Sequence, residues 1–419
     1  MSGRDAKCYA ADKESGVDWL GEVPEHWALQ RHKDSFYFIS DRCADSTFLK
    51  VGLENIEGKT GRFIPTETEF DGDGIQFKKD DILFGKLRPY LAKVYLAEFR
   101  GNSVGDIFVY RCKRNTLPKF ARYLMLSDLY IDVINSSTAG AKMPRVSSSF
   151  ITDLPVAMPS IAEQSEIIFY LDTKIAQIDR QVELLSKKAT QYGKLKQSLI
   201  NETIIRGMDS SVPMKESGVE WIGDMPAHWK ILRGKDIFEQ TKNKAGLDSS
   251  SYDVLSLTLK GVIKRDLDNM KGKIPASFDG YQIANPGNLV LCLFDMDVTP
   301  RIVGYVNQLG IITSAYTVLR GLKNVDMKYF FYYYLEQNRN GSLLANSKTL
   351  RSTMTYDLFS QLQLPVPPLP EQTAIAAYLD TKTTQIDRIV STITIHIDKL
   401  KKLRKTLIND VVTGKIKVI

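Results

Sequence analysis

Basic side chains in loops rich in serine, threonine and glycine are the residues of this sequence best suited to a chemical task. Lys and Arg neutralise nucleic-acid phosphates, and Arg also matches the hydrogen-bonding edges of bases. Two segments place them in the same K-x-x-R spacing, AGAKMPRVSSSF at 139–150 and ANSKTLRSTMTY at 345–356. The candidate DNA contacts are Lys86, Arg88, Lys142, Arg145, Lys260, Lys264, Arg265, Arg301, Lys348 and Arg351. For each residue alone, a solvated surface charge or a structural ion pair is the competing interpretation.

The charge balance supports a nucleic-acid partner only modestly. The chain carries a net charge of +7 over 419 residues. Residues 28–153 contain 19 Lys and Arg against 16 Asp and Glu, and residues 230–363 contain 17 against 12. These local excesses of +3 and +5 suit phosphate binding, but a lysine-rich solvated surface gives the same figures.

Two patterns resemble enzyme sites but are weak. GLENIEGKT at 52–60 has five residues between its glycines, where a phosphate-binding P-loop has four, so a turn is expected. Asp71, Gln76 and Lys78 are spaced as in some nuclease sites, but residues 230–363 contain no counterpart. Neither pattern predicts catalysis.

The sequence context of the histidines favours structural roles for them. His26 and His228 occupy two copies of P-x-H-W, where packing against Trp27 and Trp229 is expected. His32 and His396 have no partner at metal-ligand spacing. The sequence predicts no metal site.

Composition narrows the class of protein. Hydrophobic content of 43% and charged content of 25% are ordinary for a soluble globular chain. The beginning, MSGRDAKCYAADKESG, lacks an apolar signal, and no run approaches the ~18 apolar residues of a membrane span. Cys8, Cys43, Cys112 and Cys292 lie far apart without a CxxC pair, which predicts free thiols. A cytoplasmic protein without a membrane partner is expected.

The elements that position the basic residues come from a tandem duplication. YLDTKIAQIDR at 170–180 returns as YLDTKTTQIDR at 378–388, 208 positions later. KESGVDWLGEVPEHW at 13–27 returns as KESGVEWIGDMPAHW at 215–229. The period is far too long for a solenoid unit, so each half is a domain plus a further element.

That further element is a long helix in each half. Apolar residues recur with alternating three- and four-residue spacing, which is typical of a heptad seam. Ser160 and Glu163 predict a capping box at the start of the first helix, and Gly207 predicts its end. Pro370 predicts the start of the second helix, and Gly414 predicts its end. The predicted coiled-coil residues are Ile168, Leu171, Ile175, Ile178, Val182 and Leu185, continued by Ala189 and Tyr192, and then Leu379, Thr383, Ile386, Val390, Ile393, Ile397 and Leu400.

Connectivity predicts that the two helices run antiparallel. The segment between them is the size of one compact domain, and the ends of a domain commonly lie close together. The second helix then begins near the end of the first. The predicted fold is α+β: two mixed α/β domains separated by an antiparallel coiled coil of two long helices, with a pseudo-twofold internal repeat.

The two intervening domains, 28–153 and 230–363, share a skeleton but little detail. DIFVYR at 106–111 matches AYTVLR at 315–320, and PKFARYLM at 118–125 matches MKYFFYYY at 327–334. The apolar runs between Gly and Pro predict strands, and the last pair predicts a short helix. Similar scaffolds that carry dissimilar domains indicate two different targets held at a fixed separation.

These motifs resemble the specificity (S) subunits of Type I DNA restriction–modification systems. The resemblance rests on W-(L/I)-G-(E/D)-x-P-x-H-W at Trp19–Trp27 and Trp221–Trp229, and on the helix starts PSIAEQSEIIFYLDTKIAQID and PPLPEQTAIAAYLDTKTTQID. It covers essentially the whole chain in the order of that family. The implied parts are a target-recognition domain at 1–158, a conserved spacer helix at 159–207, a second target-recognition domain at 208–366 and a second helix at 367–419.

The resemblance implies partners and cofactors. In that family the S subunit recognises a bipartite site on double-stranded DNA and recruits two modification subunits, which hold S-adenosylmethionine and methylate adenine. Restriction subunits, a translocase and nuclease that use ATP and Mg, then join. The sequence lacks the N-P-P-Y-like motif of an adenine methyltransferase. This chain is therefore expected to be a non-catalytic subunit that binds no cofactor itself.

Two other functions remain open. A stand-alone bipartite DNA-binding regulator would bind its site tightly without enzyme partners. A coiled-coil protein adaptor would show no salt-dependent DNA binding. The duplicated helix starts favour repeated docking of protein subunits, which suits the restriction–modification interpretation best.

Overall fold

The contacts of the chain divide it into two units, each built from one domain and parts of both long helices. The computed structural model describes residues 9–43, 48–67, 72–140, 142–267, 277–345 and 352–418. The first unit consists of Met1–Lys187 and Ile393–Ile419, and the second of Lys188–Thr392. The predicted mixture of helix and sheet is confirmed.

The first unit contains twelve short strands among its described residues. The strands are β1 (Asp12–Glu14), β2 (Glu22–Pro24), β3 (Ala28–Arg31), β4 (Phe36–Ile39), β5 (Arg42–Cys43), β6 (Lys50–Val51), β7 (Gly74–Phe77), β8 (Ile82–Gly85), β9 (Val94–Leu96), β10 (Gly101–Ser103), β11 (Ile107–Cys112) and β12 (Pro155–Met158). The helices are α1 (His32–Ser35), α2 (Pro118–Leu126), α3 (Asp128–Ser136), α4 (Ser148–Asp153) and the long α5 (Ile161–Arg206), which continues into the second unit.

Two four-stranded sheets form the first domain. One has the antiparallel order β4-β11-β8-β9, and the other has the order β5-β7-β10-β6, in which β6 and β10 are parallel. Successive side chains of β11 point to opposite faces, as the two-residue period of a strand requires. Phe108 and Tyr110 join a core with α2, α3 and the long helices, whereas Ile107 and Val109 join a second core with Phe77.

The second unit repeats this plan. Its strands are β13 (Met214–Glu216), β14 (Asp224–Pro226), β15 (Lys230–Arg233), β16 (Phe238–Thr241), β17 (Leu255–Thr258), β18 (Gly261–Lys264), β19 (Gln282–Ala284), β20 (Leu289–Leu291), β21 (Val303–Tyr305), β22 (Gly310–Ile312), β23 (Thr317–Gly321) and β24 (Gln363–Val366). Its helices are α6 (Gly234–Ile237), α7 (Met327–Arg339), α8 (Ser342–Ala345), α9 (Tyr356–Gln361) and the start of α10 (Leu369–Val412). The order β16-β23-β20-β21 matches β4-β11-β8-β9 of the first unit.

The long helices end at the predicted glycines. Helix α5 contains 46 residues and α10 contains 44. Gly207 and Gly414 follow their last turns with φ of 76° and 81°, a conformation that favours glycine. Ser160 caps α5 by accepting from Glu163 N at 3.3 Å. The Glu163 carboxylate does not complete the predicted capping box, because it binds Trp27 instead.

Residues of the predicted seam are buried mainly where the helices pack against a domain. Leu171 and Ile175 of α5 lie in the same core cluster of the first unit as Ile408 and Val411 of α10. The buried members are Leu171, Ile175, Ile178, Leu379, Thr383, Ile386 and Ile393, and the half-buried members are Ile168, Val182, Leu185, Ala189, Tyr192, Val390, Ile397 and Leu400. Two fully buried residues, Ile167 and Ile375, lie outside the predicted set.

Each unit contains an ion pair between its two helical segments. In the first unit, Arg404 Nε lies 3.4 Å from Asp179 Oδ1. In the second unit, Lys196 Nζ lies 2.7 Å from Asp387 Oδ2. Asp387 stands 208 positions after Asp179, and Arg404 stands 208 positions after Lys196, so the two pairs are copies of one another.

Within the ranges that the structure describes, no helix combines the length and the apolar character needed to cross a membrane.

Candidate nucleic-acid interface

A hydrogen-bonded latch, formed by Trp27, His26 and Glu163, joins the first domain to the start of α5. Trp27 is fully buried, and its Nε1 donates to Glu163 Oε1 at 3.1 Å. His26 Nε2 lies 3.0 Å from Glu163 Oε2. Its ring packs 5.6 Å from the ring of Tyr9, so the predicted packing role takes a different aromatic partner in this unit.

The second unit contains the same latch. Trp229 Nε1 donates to Glu371 Oε1 at 3.1 Å, and His228 Nε2 lies 2.7 Å from Glu371 Oε2. The His228 ring lies edge-on to Trp229, with 6.4 Å between centroids, as predicted. The latch fixes each domain on its helix.

A buried glutamine follows each latch carboxylate. Gln164 Oε1 accepts from Leu117 N at 2.8 Å, and Gln372 Oε1 accepts from Asp326 N at 2.8 Å. Their side-chain amides donate to carbonyls of the loop before the helix. The sequence analysis did not predict that the glutamates and glutamines bind the domains. The repetition of a Glu-Gln pair at the start of each long helix could have indicated it.

In the first domain, Ala139 and Arg145 pair as the two sides of a small hairpin beside the end of β8. Arg145 and Ala139 exchange backbone hydrogen bonds at 3.0 and 3.1 Å. Val146 N donates to Lys86 O at 3.1 Å, and Arg88 N donates to Pro144 O at 2.8 Å. Gly140 adopts φ of 99° at the turn, so a glycine suits this position. The hairpin therefore brings together basic residues that are far apart in sequence.

All four basic candidates of the first domain meet around this hairpin. Arg145 Nε and Nη2 donate to the two oxygens of Asp106 at 3.1 and 2.9 Å, and Lys86 Nζ lies 3.7 Å from Asp106 Oδ1. Arg88 Nη2 donates weakly to Lys142 O at 3.5 Å. The hydrogen bonds to Asp106 raise the pKa of Arg145. Four cations and one carboxylate leave this surface positive.

Exposed apolar groups accompany these charges. Tyr90 is 48% exposed and Met143 is 46% exposed, so an aromatic ring and a flexible side chain lie beside the cations. Proteins that bind single-stranded nucleic acid combine exposed aromatic rings with basic residues in this way. Sequence reasoning identified the cations but missed Asp106, because the partner of an exposed arginine cannot be found without the fold.

The second domain presents a different element, the hairpin of β17 and β18. Lys260 lies at its turn and is exposed, and Lys264 Nζ pairs with Asp253 at 2.7 Å. Arg265 is half-buried. Arg301 supports the hairpin rather than projecting from it: Nη1 donates to Leu259 O at 2.6 Å. Burial lowers the pKa of Arg301.

The proposed equivalence of the two K-x-x-R segments is wrong. Val146 N donates to Lys86 O, and Met354 N donates to Leu293 O at 2.7 Å, so Val146 and Met354 are equivalent. Met354 follows Val146 by 208 positions, whereas the K-x-x-R alignment uses 206. Arg145 therefore corresponds to Thr353. A four-residue spacing within a diverged loop is too short to fix an alignment.

Lys348 and Arg351 lie outside the described residues. Their assignment as DNA contacts stays a prediction, as do the assignments of the other eight candidates.

The described residues of the two enzyme-like patterns make structural contacts. Residues 52–60 contain a 3₁₀ helix at Leu53–Asn55 and then a turn at 58–60, and Arg404 Nη1 donates to Lys59 O at 3.1 Å. Gln76 accepts from Arg100 at 3.1 Å, and Lys78 N donates to Asp81, while Asp71 lies outside the described residues. Among the residues that the structure describes, no group of three His, Cys, Asp or Glu side chains could hold a metal ion.

His32 is buried within the first domain. It is 1% exposed and stacks on Phe36 with 4.2 Å between ring centroids. Burial lowers its pKa to about 3. A neutral ring inside an aromatic core is a structural group.

Comparison with known proteins gives a consistent family. Residues 293–399 match the model of the Type I restriction modification DNA specificity domain. The Type I restriction enzyme MjaVIII specificity subunit of Methanocaldococcus jannaschii is 23% identical over 432 residues, which cover 94% of this chain and 94% of that protein. The EcoDI specificity subunit of Escherichia coli is 25% identical over 189 residues, 43% of this chain and 42% of that protein.

Solved structures have the same fold. A chain from a study of complex assembly and conformational transition of the type I R-M system has a TM-score of 0.70 at 17% identity, covering 93% of this chain and 98% of that chain. The HsdS subunit from Thermoanaerobacter tengcongensis has a TM-score of 0.55 at 17% identity, with coverages of 94% and 98%. The resemblance to Type I specificity subunits predicted from the sequence is confirmed.

Proposed function

Since the chain resembles Type I specificity subunits along nearly its whole length, we propose that it is the DNA sequence-recognition subunit of a Type I restriction–modification complex. Each domain recognises one half of a bipartite DNA site. The long helices set the gap between the half-sites and dock the modification subunits.

One observation carries this proposal. The latch and the glutamine contacts are repeated almost atom for atom, whereas the charged residues around the Ala139–Arg145 hairpin are replaced in the second domain. Lys86, Arg88 and Asp106 correspond by position along matched strands to Leu293, Asp295 and Ala315. A common frame with different charged surfaces suits two domains that bind different base sequences.

The two equivalent ion pairs support the proposal that the long helices act as an antiparallel spacer. From Asp179 to Lys196 the first helix advances 17 residues, while the partner in the second helix moves back 17 residues, from Arg404 to Asp387. That register is the one an antiparallel pair requires. We infer a continuous antiparallel coiled coil, and a helix of 44 residues is roughly 66 Å long at 1.5 Å per residue.

In this proposal the chain itself catalyses no reaction. Methylation belongs to the modification subunits with S-adenosylmethionine, and ATP-driven cleavage belongs to the restriction subunits. The duplicated helix starts offer two equivalent docking positions, which suits two modification subunits per chain.

A domain exchange tests the proposal. Residues 28–153 are replaced by the corresponding domain of another Type I specificity subunit, and the hybrid is expressed with its modification subunit in cells that lack other adenine methylation. Single-molecule sequencing should show methyladenine at a site with a new first half and an unchanged second half.

Other outcomes would favour the other functions. A change in both half-sites contradicts independent recognition by the two domains. Tight sequence-specific binding by the purified chain alone, without methylation when the modification subunit is present, favours a regulator. Absence of salt-dependent DNA binding in the presence of the modification subunit favours a protein adaptor.

A further inference from the structure

The contact between Arg145 and Asp106 has a geometry that leaves one edge of the guanidinium available. Arg145 uses Nε and one hydrogen of Nη2 to bind the carboxylate in a two-point contact. The two hydrogens of Nη1 and the second hydrogen of Nη2 remain, and they form the end of the fork. The Arg145 side chain is 48% exposed, against 23% for Asp106, so the carboxylate is the more enclosed partner.

The backbone around this pair is fixed. Asp106 precedes β11, and its carbonyl accepts from Lys86 N at 2.9 Å. Arg145 is held on the other side by its two backbone bonds to Ala139. The backbone of Arg145 is therefore held by main-chain hydrogen bonds, and its guanidinium is held because it donates to a carboxylate. A solvated arginine instead samples many rotamers and loses entropy on binding.

An arginine fork held in this way matches guanine. Two parallel N–H donors fit the O6 and N7 acceptors that guanine presents in the major groove, and this is the commonest specific contact in protein–DNA complexes. A phosphate also accepts a two-point contact from an arginine fork, but such a contact carries no base discrimination.

We infer that Arg145 recognises a guanine in the half-site bound by the first domain, and that Asp106 is the positioning residue for it. This inference rests on the proposed function, because it names a base contact of the same domain. The second domain has Ala315 and Thr353 at the corresponding positions, so its half-site is recognised by other groups. Lys86 and exposed Lys142 supply phosphate contacts around the guanine.

The test uses the complex with the modification subunit and a library of sites in which every position of both half-sites is varied. Arg145→Ala should reduce discrimination at one G·C pair of the first half-site by roughly tenfold or more. Asp106→Ala should reduce discrimination at that same pair, while binding to unrelated DNA becomes tighter because a negative charge is removed. Arg145→Lys keeps the charge but lacks the fork, and should not restore discrimination.

Lys142→Ala is the matched control on the same hairpin. It should weaken binding to all sequences alike and reduce the salt slope by about one. Uniform weakening by Arg145→Ala, with a reduced salt slope, would make Arg145 a phosphate contact and overturn the inference. So would unchanged discrimination in either Arg145→Ala or Asp106→Ala with an unaltered melting temperature. Failure of the unaltered complex to bind any site would overturn the proposed function as well.

Discussion

The two units differ where each domain presents its surface and agree where each domain meets its helix. At the helix, Trp27 and Trp229 each donate to a glutamate at 3.1 Å. At the surface, the first domain presents the hairpin paired at Ala139 and Arg145, whose arginine is held by a carboxylate, and the second presents the β17–β18 hairpin supported by Arg301. The difference shows that the contact with the helix and the exposed charged surface are independent parts of the fold. The charged surface can differ between the domains while the contact with the helix is retained.

The largest expected effect concerns the shared latch. Trp27→Ala and Trp229→Ala each remove a fully buried indole, and each should lower the stability of its own unit by about 3–5 kcal/mol. Hydrogen exchange resolved by peptide should show the loss in 9–187 for the first variant and in 188–345 for the second. Tolerance of one substitution but not the other would break the equivalence of the two latches.

A control distinguishes packing from the polar contact. The His26 side chain is 56% exposed, so His26→Ala should cost at most about 1 kcal/mol. A cost as large as that of Trp27→Ala would mean that the latch depends on the imidazole.

The next effect is a dependence of stability on pH that only the first domain should show. His32 is buried as the neutral ring with a pKa of about 3, below its ordinary value of 6.5. Between these values the unfolded chain binds a proton that the folded domain excludes, so stability falls as pH falls, by up to about 1.4 kcal/mol per pH unit. The effect is absent above pH ~6.5, where both states are neutral.

His32→Phe keeps an aromatic ring and should remove this pH dependence. Urea unfolding of both forms between pH 4 and 8 measures the difference, and peptide-resolved exchange assigns it to the first unit. The second domain has Gly234 at the start of the corresponding helix, so its stability should not follow this curve. A loss of equal size in the second unit would contradict the assignment.

The smallest effect concerns a glycine that only one long helix contains. Gly193 lies inside α5, and a Cβ added there would meet no atom within 4 Å. Gly193→Ala should therefore stabilise the second unit by about 1 kcal/mol, because alanine loses less backbone entropy. Lys401, 208 positions later, is the matched position of α10, and Lys401→Ala should change the melting temperature little. Destabilisation by Gly193→Ala would indicate a partner that needs the glycine.

The sequence predicted the regular parts of this fold better than its loops. The two long helices and their glycine stops follow from apolar spacing and local chemistry, and the structure has them. The Asp106–Arg145 pair joins residues 39 positions apart, and only strand order brings them together. The K-x-x-R alignment failed for the same reason, since loop residues are placed by the strands that carry them. Glu163 was assigned to a cap although its carboxylate binds the domain.

The central claim is that a shared helical frame holds two different DNA-binding domains at a set distance, and changing the frame tests it most directly. In the proposed antiparallel coiled coil, the register set by the ion pairs puts Lys187 opposite His396. Inserting four residues after Lys187 and after Ile395 lengthens both helices at facing positions, adding roughly 6 Å and a rotation of about 40°. One base pair advances DNA by about 3.4 Å and rotates it by about 34°.

Methylation is then measured with the modification subunit over a library in which only the gap between the half-sites varies. The lengthened protein should prefer a gap one or two base pairs longer, with both half-sites unchanged. The insertion after Lys187 alone serves as the control and should lower methylation at every gap, because it puts the two helices out of register. A preference of the doubly lengthened protein that stays at the original gap would contradict the account, since the helices would then not set the distance.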